Sequence, residues 1–200
     1  MPGPITIQHQ GNGIWIKAPS ETPIHLAALF RKPEIRSGRI VNTVLDLACV
    51  NGQLRHPKVC WTRMFVQILR DLPSGLTVAL DNGVRCPFGT SRKIKEFNRR
   101  AELCHNRTVD WLQTLAPDPP PVLFCDKSVC VAYAQQKGLT HSDGTEWTEP
   151  KKFLDAVGEE VLFHGRPALI LAHPRVVQMK VQYRDALRAA IPKIRRLAGL

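Results

Sequence analysis

Residues 168–177 read Ala-Leu-Ile-Leu-Ala-His-Pro-Arg-Val-Val: five apolar residues, an abrupt His173-Pro174 step, then a turn into a basic segment. A short apolar run bounded by turn signals is the pattern of a strand buried on both faces. Two more such runs lie upstream, Leu76-Thr-Val-Ala-Leu80 ending at Asp81-Asn82-Gly83, and Val122-Leu-Phe-Cys125 ending at Asp126. Between them Phe97, Ala101, Cys104, Thr108, Trp111, Leu112 and Leu115 recur at helical spacing, and Asp118-Pro-Pro-Pro121 stops that helix. A short helix from about Ser128, another near 151–157 and a strand Val161–Phe163 follow. The chain closes on a basic helix with Leu187, Ala190, Ile191, Ile194 and Leu197 inward, which Pro192 is expected to kink or restart.

Working back toward the N-terminus, Trp61, Met64, Phe65, Ile68, Leu69 and Leu72 predict a helix, stopped by Pro73-Ser-Gly75. Ile40–Val50 reads as a buried strand ending at the turn signal Asn51-Gly52, Ile14–Lys17 as a short strand, and His25–Phe30 as a helical turn. Strands alternating with helices predict a three-layer α/β/α domain over residues 40–200, built on a mostly parallel central sheet. Residues 1–39 are then an N-terminal extension packed on it. Ligands of open α/β sheets bind beyond the carboxyl ends of the strands, where Asn51, Asn82, Asp126 and His173 are expected to converge.

Bulk properties narrow the function. A chain of 200 residues with 44% apolar content builds one domain with a core, which argues against disorder throughout. No apolar run reaches the roughly 18 residues of a membrane span. Met1-Pro-Gly-Pro4 shows no positive patch ahead of an apolar run, so a cytoplasmic setting is expected. The six cysteines (49, 60, 86, 104, 125, 130) form no CxxC pair, which favours free thiols over a zinc site. Charge is concentrated. Residues 85–107 carry seven Arg or Lys against Glu96 and Glu102, residues 175–200 carry seven against Asp185, and these two segments account for the whole net charge of +11. Such clustering is the footprint of a polyanion binder, with solvated helix faces as the plainer alternative.

The run into His173-Pro174 resembles the second motif of the uracil-DNA glycosylase superfamily, a strand ending in His-Pro followed by a loop that enters the DNA groove. Leu80-Asp-Asn-Gly-Val-Arg-Cys-Pro87 is similar to the family's strand that ends in an asparagine and continues into a basic-Cys-Pro turn. Ala101-Glu-Leu-Cys104 within a helix and then Pro121-Val-Leu-Phe124 follow the order of its iron–sulfur branch. The resemblance covers residues 40–200. Its first motif is eroded: Cys49-Val-Asn-Gly-Gln53 stands where the family has a proline-bearing turn with a water-positioning residue. Ala18-Pro19-Ser20-Glu21 is a more distant rival. Cys86 and Cys104 match two cluster ligands, but the branch's N-terminal CxxC is missing, so neither a cluster nor any other cofactor or metal is expected.

The resemblance implies a monofunctional DNA glycosylase acting on a modified pyrimidine, either uracil or a bulkier hypermodified base met in anti-phage defence. Breaking the N-glycosidic bond leaves negative charge on the departing base, which His173 would stabilise as a preorganised donor. Asn51 would hold the water, and Asn82 with Gln53 would contact the base, which must first leave the stack. Arg85, Arg175, Lys180, Arg184 and Arg188 would meet phosphates or the groove. Each has a plainer reading: His173 as a turn cap, Asn51-Gly52 and Asn82-Gly83 as ordinary turn dipeptides. Partner expectations are DNA, no membrane and no obligate protein, with the chain a monomer associated with the nucleoid. Two alternatives remain open, a DNA-binding relative without catalysis and a small-molecule α/β enzyme.

Overall fold

The computed structural model describes residues 5–10, 13–17, 23–30, 34–36, 39–41, 49–50, 53–54, 77–84, 94–116 and 118–200, with side chains at 23–29, 77–84, 97–116, 118–173, 176–177 and 179–200. Its strands are β1 (Ile5–Gln10), β2 (Gly13–Lys17), β3 (Leu26–Phe30), β4 (Glu34–Arg36), β5 (Arg39–Val41), β6 (Cys49–Val50), β7 (Gln53–Leu54), β8 (Thr77–Asn82), β9 (Val122–Phe124), β10 (Leu139–Thr140), β11 (Glu160–Phe163) and β12 (Arg166–Ile170). Its helices are α1 (Ile94–Leu115), α2 (Lys127–Gln135), α3 (Pro174–Met179) and α4 (Val181–Leu197), with one 3-10 turn at Phe153–Ala156. Ten strands form one sheet in the order β10-β11-β12-β9-β3-β8-β1-β2-β7-β6, and β4 pairs only with β5.

The class is α/β, and the sheet is mixed where the sequence predicts a mostly parallel one. The middle four strands, β12-β9-β3-β8, are parallel. Both flanks are antiparallel: a direct return of the chain forces that direction on β1–β2, β6–β7, β10–β11 and β11–β12, which join sequence neighbours, and β1–β8 and β2–β7 run antiparallel as well. The return from β11 to β12 is His164-Gly165 between paired Phe163 and Arg166, where φ is +49° and +77°. Positive φ at both central residues is the type I′ turn that matches strand twist.

Three further expectations change. His25–Phe30 is not a helical turn: Leu26–Phe30 is β3, the innermost parallel strand, with Leu26, Ala27, Ala28 and Leu29 each at most 1% exposed. Ala and Leu favour helix locally, and the two parallel neighbours override that preference. Residues 1–39 are not an extension packed on a finished domain, since they contribute β1, β2 and β3 to the same sheet. Nor is Ile40–Val50 a central strand. Its described ends are β5, outside the main sheet, and β6 at the sheet's edge. The predicted helix over residues 61–72 lies outside the described residues.

Alternate strand residues face opposite sides of the sheet. Leu26, Ala28, Val78, Leu80, Leu123, Leu169 and Leu171 meet Leu187, Ala190 and Ile194 of α4 on one face. Ala27, Leu29, Ala79, Val122, Phe124, Ala168 and Ile170 meet the other face's helices: α1 through Phe97, Ala101, Cys104, Trp111 and Leu112, and α2 through Val129, Cys130 and Tyr133. Each fully buried leucine contributes about 1.5–3 kcal/mol. Pro192 lies inside α4, which neither ends nor restarts there. Among the described residues no helix is long and apolar enough to cross a membrane.

Candidate functional site at the carboxyl edge of the parallel strands

The chain leaves β3 toward β8 on one side, and leaves β9 toward β12 on the other. The carboxyl ends of β3 and β9 therefore flank the switch point where open α/β sheets bind ligands. Register fixes what stands there. Leu29 pairs with Asp81 and with Phe124, and Phe124 with Ile170, which draws one line across four strands. Asn82 lies one residue beyond that line, Asp126 two and His173 three. Backbone bonds hold the line beyond the strands: Cys125 N–H donates to Leu29 O (2.8 Å) and Leu171 N–H to Phe124 O (2.7 Å).

Each position is locked by its own surroundings. Asn82 is 2% exposed, and its backbone N–H donates to Asp81 Oδ1 at 2.7 Å. The next residue must be glycine, because a Cβ at Gly83 would come within 2.5 Å of Val129 Cγ1. That close approach lets the buried Tyr133 hydroxyl donate to Gly83 O (2.6 Å) while it shares a second bond with Thr108 Oγ1 (2.9 Å). Asp126 is the N-cap of α2, in extended backbone, with Oδ1 accepting from Ser128 N–H at 2.8 Å. His173 is half-buried, and its carbonyl accepts from Val176 N–H (2.8 Å) and Val177 N–H (3.2 Å), which starts α3 at Pro174. Proline costs nothing at a first helical position, where its missing N–H has no partner to lose.

Burial pushes the Cys125 and Cys130 thiols up, and the Asp126 charge adds to it, so both stay protonated. Neither is a nucleophile or a ready metal ligand at neutral pH. Lys127, next to Asp126, is ion-paired with Glu149 and lies 6.0 Å from the Phe153 ring centre.

The cations of α4 divide by partner. Arg196 and Lys193 are held by Glu160, with Lys193 also donating to Gly158 O at 2.7 Å. Arg188 pairs with Asp185 at 3.3 Å. Lys180, Arg184 and Arg195 are exposed and make no ion pair with the described residues. Lys180, Arg184 and Arg188 follow at steps of four, so they form one stripe. At the junction of α3 and α4, Met179 and Val181 are 72% and 62% exposed on either side of Lys180.

The structure thus brings Asn82, Asp126 and His173 to one edge, with Lys180 capping the last helix and Arg184 and Arg188 on it. It does not bring the first motif there. β7 and β6 lie three and four places beyond β8 at the sheet's end, so Gln53, paired in β7 with Trp15, is remote from the switch point. Asn51 itself, between β6 and β7, lies outside the described residues, as do Arg85 and the side chain of Arg175. Asp81 is the residue that sequence reading passed over. It looks like the first letter of an Asp-Asn-Gly turn, yet it is a strand residue and only 6% exposed. A second group also escaped notice: Glu159 accepts from Trp147 Nε1 (3.0 Å) and pairs with His141 Nδ1 (3.3 Å), beside β10 and β11. Comparison with known proteins finds no matching family model and no curated relative for this chain.

Proposed function

We propose that this chain is a monofunctional DNA glycosylase of the uracil-DNA glycosylase superfamily, a three-layer α/β/α enzyme that hydrolyses the base–sugar bond of a modified pyrimidine and leaves an abasic site. The observation that carries this reading is the common register line, with Asn82, Asp126 and His173 one, two and three residues past it. Strands stand about 4.8 Å apart and rise about 3.3 Å per residue, so β8 and β12 are separated by roughly 14 Å. A flipped nucleoside fits that span, its base edge toward the Asn82 amide and its departing anion toward His173. The exposed stripe of α4 supplies cations for phosphates. Met179 and Val181, apolar and flanked by cations, suit entry into a groove between base steps.

Gln53 has no part in this reading, because β7 lies toward the far edge of the sheet. The substrate is uracil or a larger 5-substituted pyrimidine, the latter suited to defence against phages with hypermodified DNA. Lys127, the lysine next to Asp126, is ion-paired with Glu149, which favours hydrolysis by water over Schiff-base lyase chemistry. The enzyme is proposed to act as a monomer on the nucleoid.

A panel of oligonucleotides, each with one modified pyrimidine and treated with alkali after incubation, tests the reading. Wild-type protein should create an alkali-labile site on at least one. His173→Ala should slow that reaction by on the order of 10²–10³, the usual loss for one anion-stabilising donor, and leave DNA affinity unchanged. Tight, salt-sensitive binding with no labile site anywhere would leave the non-catalytic DNA-binding relative, a reading the displaced first motif also favours. Absence of DNA binding would leave the small-molecule enzyme.

A further inference from the structure

Asn82 ends β8, and the direction in which its side chain leaves the strand depends on the backbone at Gly83. One helix grips that backbone at two points. A Cβ on Gly83 would come within 2.5 Å of Val129 Cγ1, so α2 packs directly on the main chain there. Four residues on, along the same face of α2, the Tyr133 hydroxyl donates to Gly83 O at 2.6 Å. Val84, next in the chain, is buried and anchors the exit.

The hydroxyl is held as firmly as the carbonyl it meets. The Tyr133 ring stands edge-on to Phe124 (6.0 Å between centres) and stacks on Phe163 (5.6 Å). Its oxygen also lies 2.9 Å from Thr108 Oγ1 of α1, which donates to Cys104 O at 3.1 Å. Tyr133 and Thr108 are both 0% exposed, so bulk solvent replaces neither of them. Two hydroxyl hydrogens serve three contacts. With the Tyr133 hydrogen on Gly83 O, the shortest of the three, the Thr108 hydrogen serves Cys104 O and the phenol oxygen in turn. Removing the Thr108 hydroxyl therefore leaves Gly83 O its donor, whereas removing the Tyr133 hydroxyl does not.

Resting on the glycosylase reading above, we propose that Tyr133 is a positioning residue for base choice: its hydroxyl holds Gly83 so that the Asn82 amide meets the base edge in one place. Wholly buried, Tyr133 acts through Asn82 and not on the substrate. A site that hydrogen-bonds its substrate rejects an edge unable to form those bonds, provided that its own groups are held in place. Without the phenol hydrogen, Gly83 O is a buried acceptor short of one donor, and the main chain shifts to recover one, carrying Asn82 with it.

The measurement is a ratio of single-turnover base release on two oligonucleotides. One carries the best substrate, and the other a pyrimidine with the same 5-substituent and the 4-oxo and 4-amino groups exchanged. Tyr133→Phe keeps the ring and should lower that ratio by about 10-fold, within the worth of one good bidentate base contact. Thr108→Val should keep the wild-type ratio. Both variants lose a buried hydroxyl and should melt a few degrees below wild type, so lowered stability is common to the two and the ratio separates them. A wild-type ratio in Tyr133→Phe, whatever its absolute rates, would overturn the proposal and leave Tyr133 as a packing residue. Equal losses of the ratio in both variants would overturn it too, since they would trace to the shared loss of stability. So would a wild-type protein that releases both bases equally fast. A wild-type protein that releases no base from any oligonucleotide overturns the glycosylase reading and this role together.

Discussion

Two histidines far apart in sequence share one hydrogen bond. His105 on α1 and His164 on the β11–β12 turn bring their Nε2 atoms to 2.9 Å, one N–H donating to the other's lone pair. The His105 ring stands edge-on to Tyr133 and Phe163, at 5.0 and 5.8 Å between centres. Burial lowers the pKa of both, and for His164 the neighbouring His105 and the Arg166 charge lower it further. In the unfolded chain both titrate near the ordinary value of about 6.5. Below that value the unfolded state binds protons that the folded state refuses, so stability is complete above it and declines as pH falls through it. The melting temperature should drop between pH 7 and pH 5. His164→Asn removes one of the two groups and gives the turn the Asn-Gly pair that type I′ geometry prefers. Its pH dependence should be flatter than wild type. A wild-type melting temperature that is level across this range would refute the neutral pair.

At the scale of elements, α4 is the helix that the proposed function assigns to DNA. Its inner residues Leu187, Ala190 and Ile194 fix it on the sheet, and its outer stripe is spaced by the helix itself. Arg184→Glu with Arg188→Glu reverses two stripe charges without touching the core. DNA affinity should fall, and the slope of log affinity against log salt should flatten by about 2, near one unit per lost phosphate contact. An unchanged affinity would move the interface elsewhere. The elements that are legible in sequence are those whose pattern is local: α1 from its seven inward positions, α4 from its amphipathic spacing, and β8, β9 and β12 from apolar runs closed by turn residues. Asn82, Asp126 and His173 are legible for the same reason, each being the polar residue that ends such a run. β3 is not, because Leu-Ala-Ala-Leu-Phe has no strand signature until two partners from distant sequence lie beside it. Residues 40–50, apolar and β-branched, carry the strand signature that β3 lacks, yet their described ends are β5 and the edge strand β6.

For the whole molecule, the position of β3 decides what can be removed. The strand pairs with β8 on one side and β9 on the other, and its residues belong to both cores. A chain starting at residue 40 loses β1 to β4, and with β3 the strand that joins β8 to β9. Such a fragment should show no cooperative thermal transition, while the full chain melts sharply. A cooperative melt from residues 40–200 would show that this segment folds alone.

The outer rim of β10 carries a different consequence. Sheets that end in a bare strand invite a neighbour's backbone to pair with them, and so seed fibres. Here the chain folds back over its own rim: Trp147 N–H donates to Leu139 O (3.0 Å), Thr140 bridges Glu146, and Lys137 pairs with Glu146 at 3.4 Å. With Leu139 O already taken and both charges on that border, the protein offers incoming strands little to dock on along this side. It can stand crowded at high local concentration without zipping up through that border.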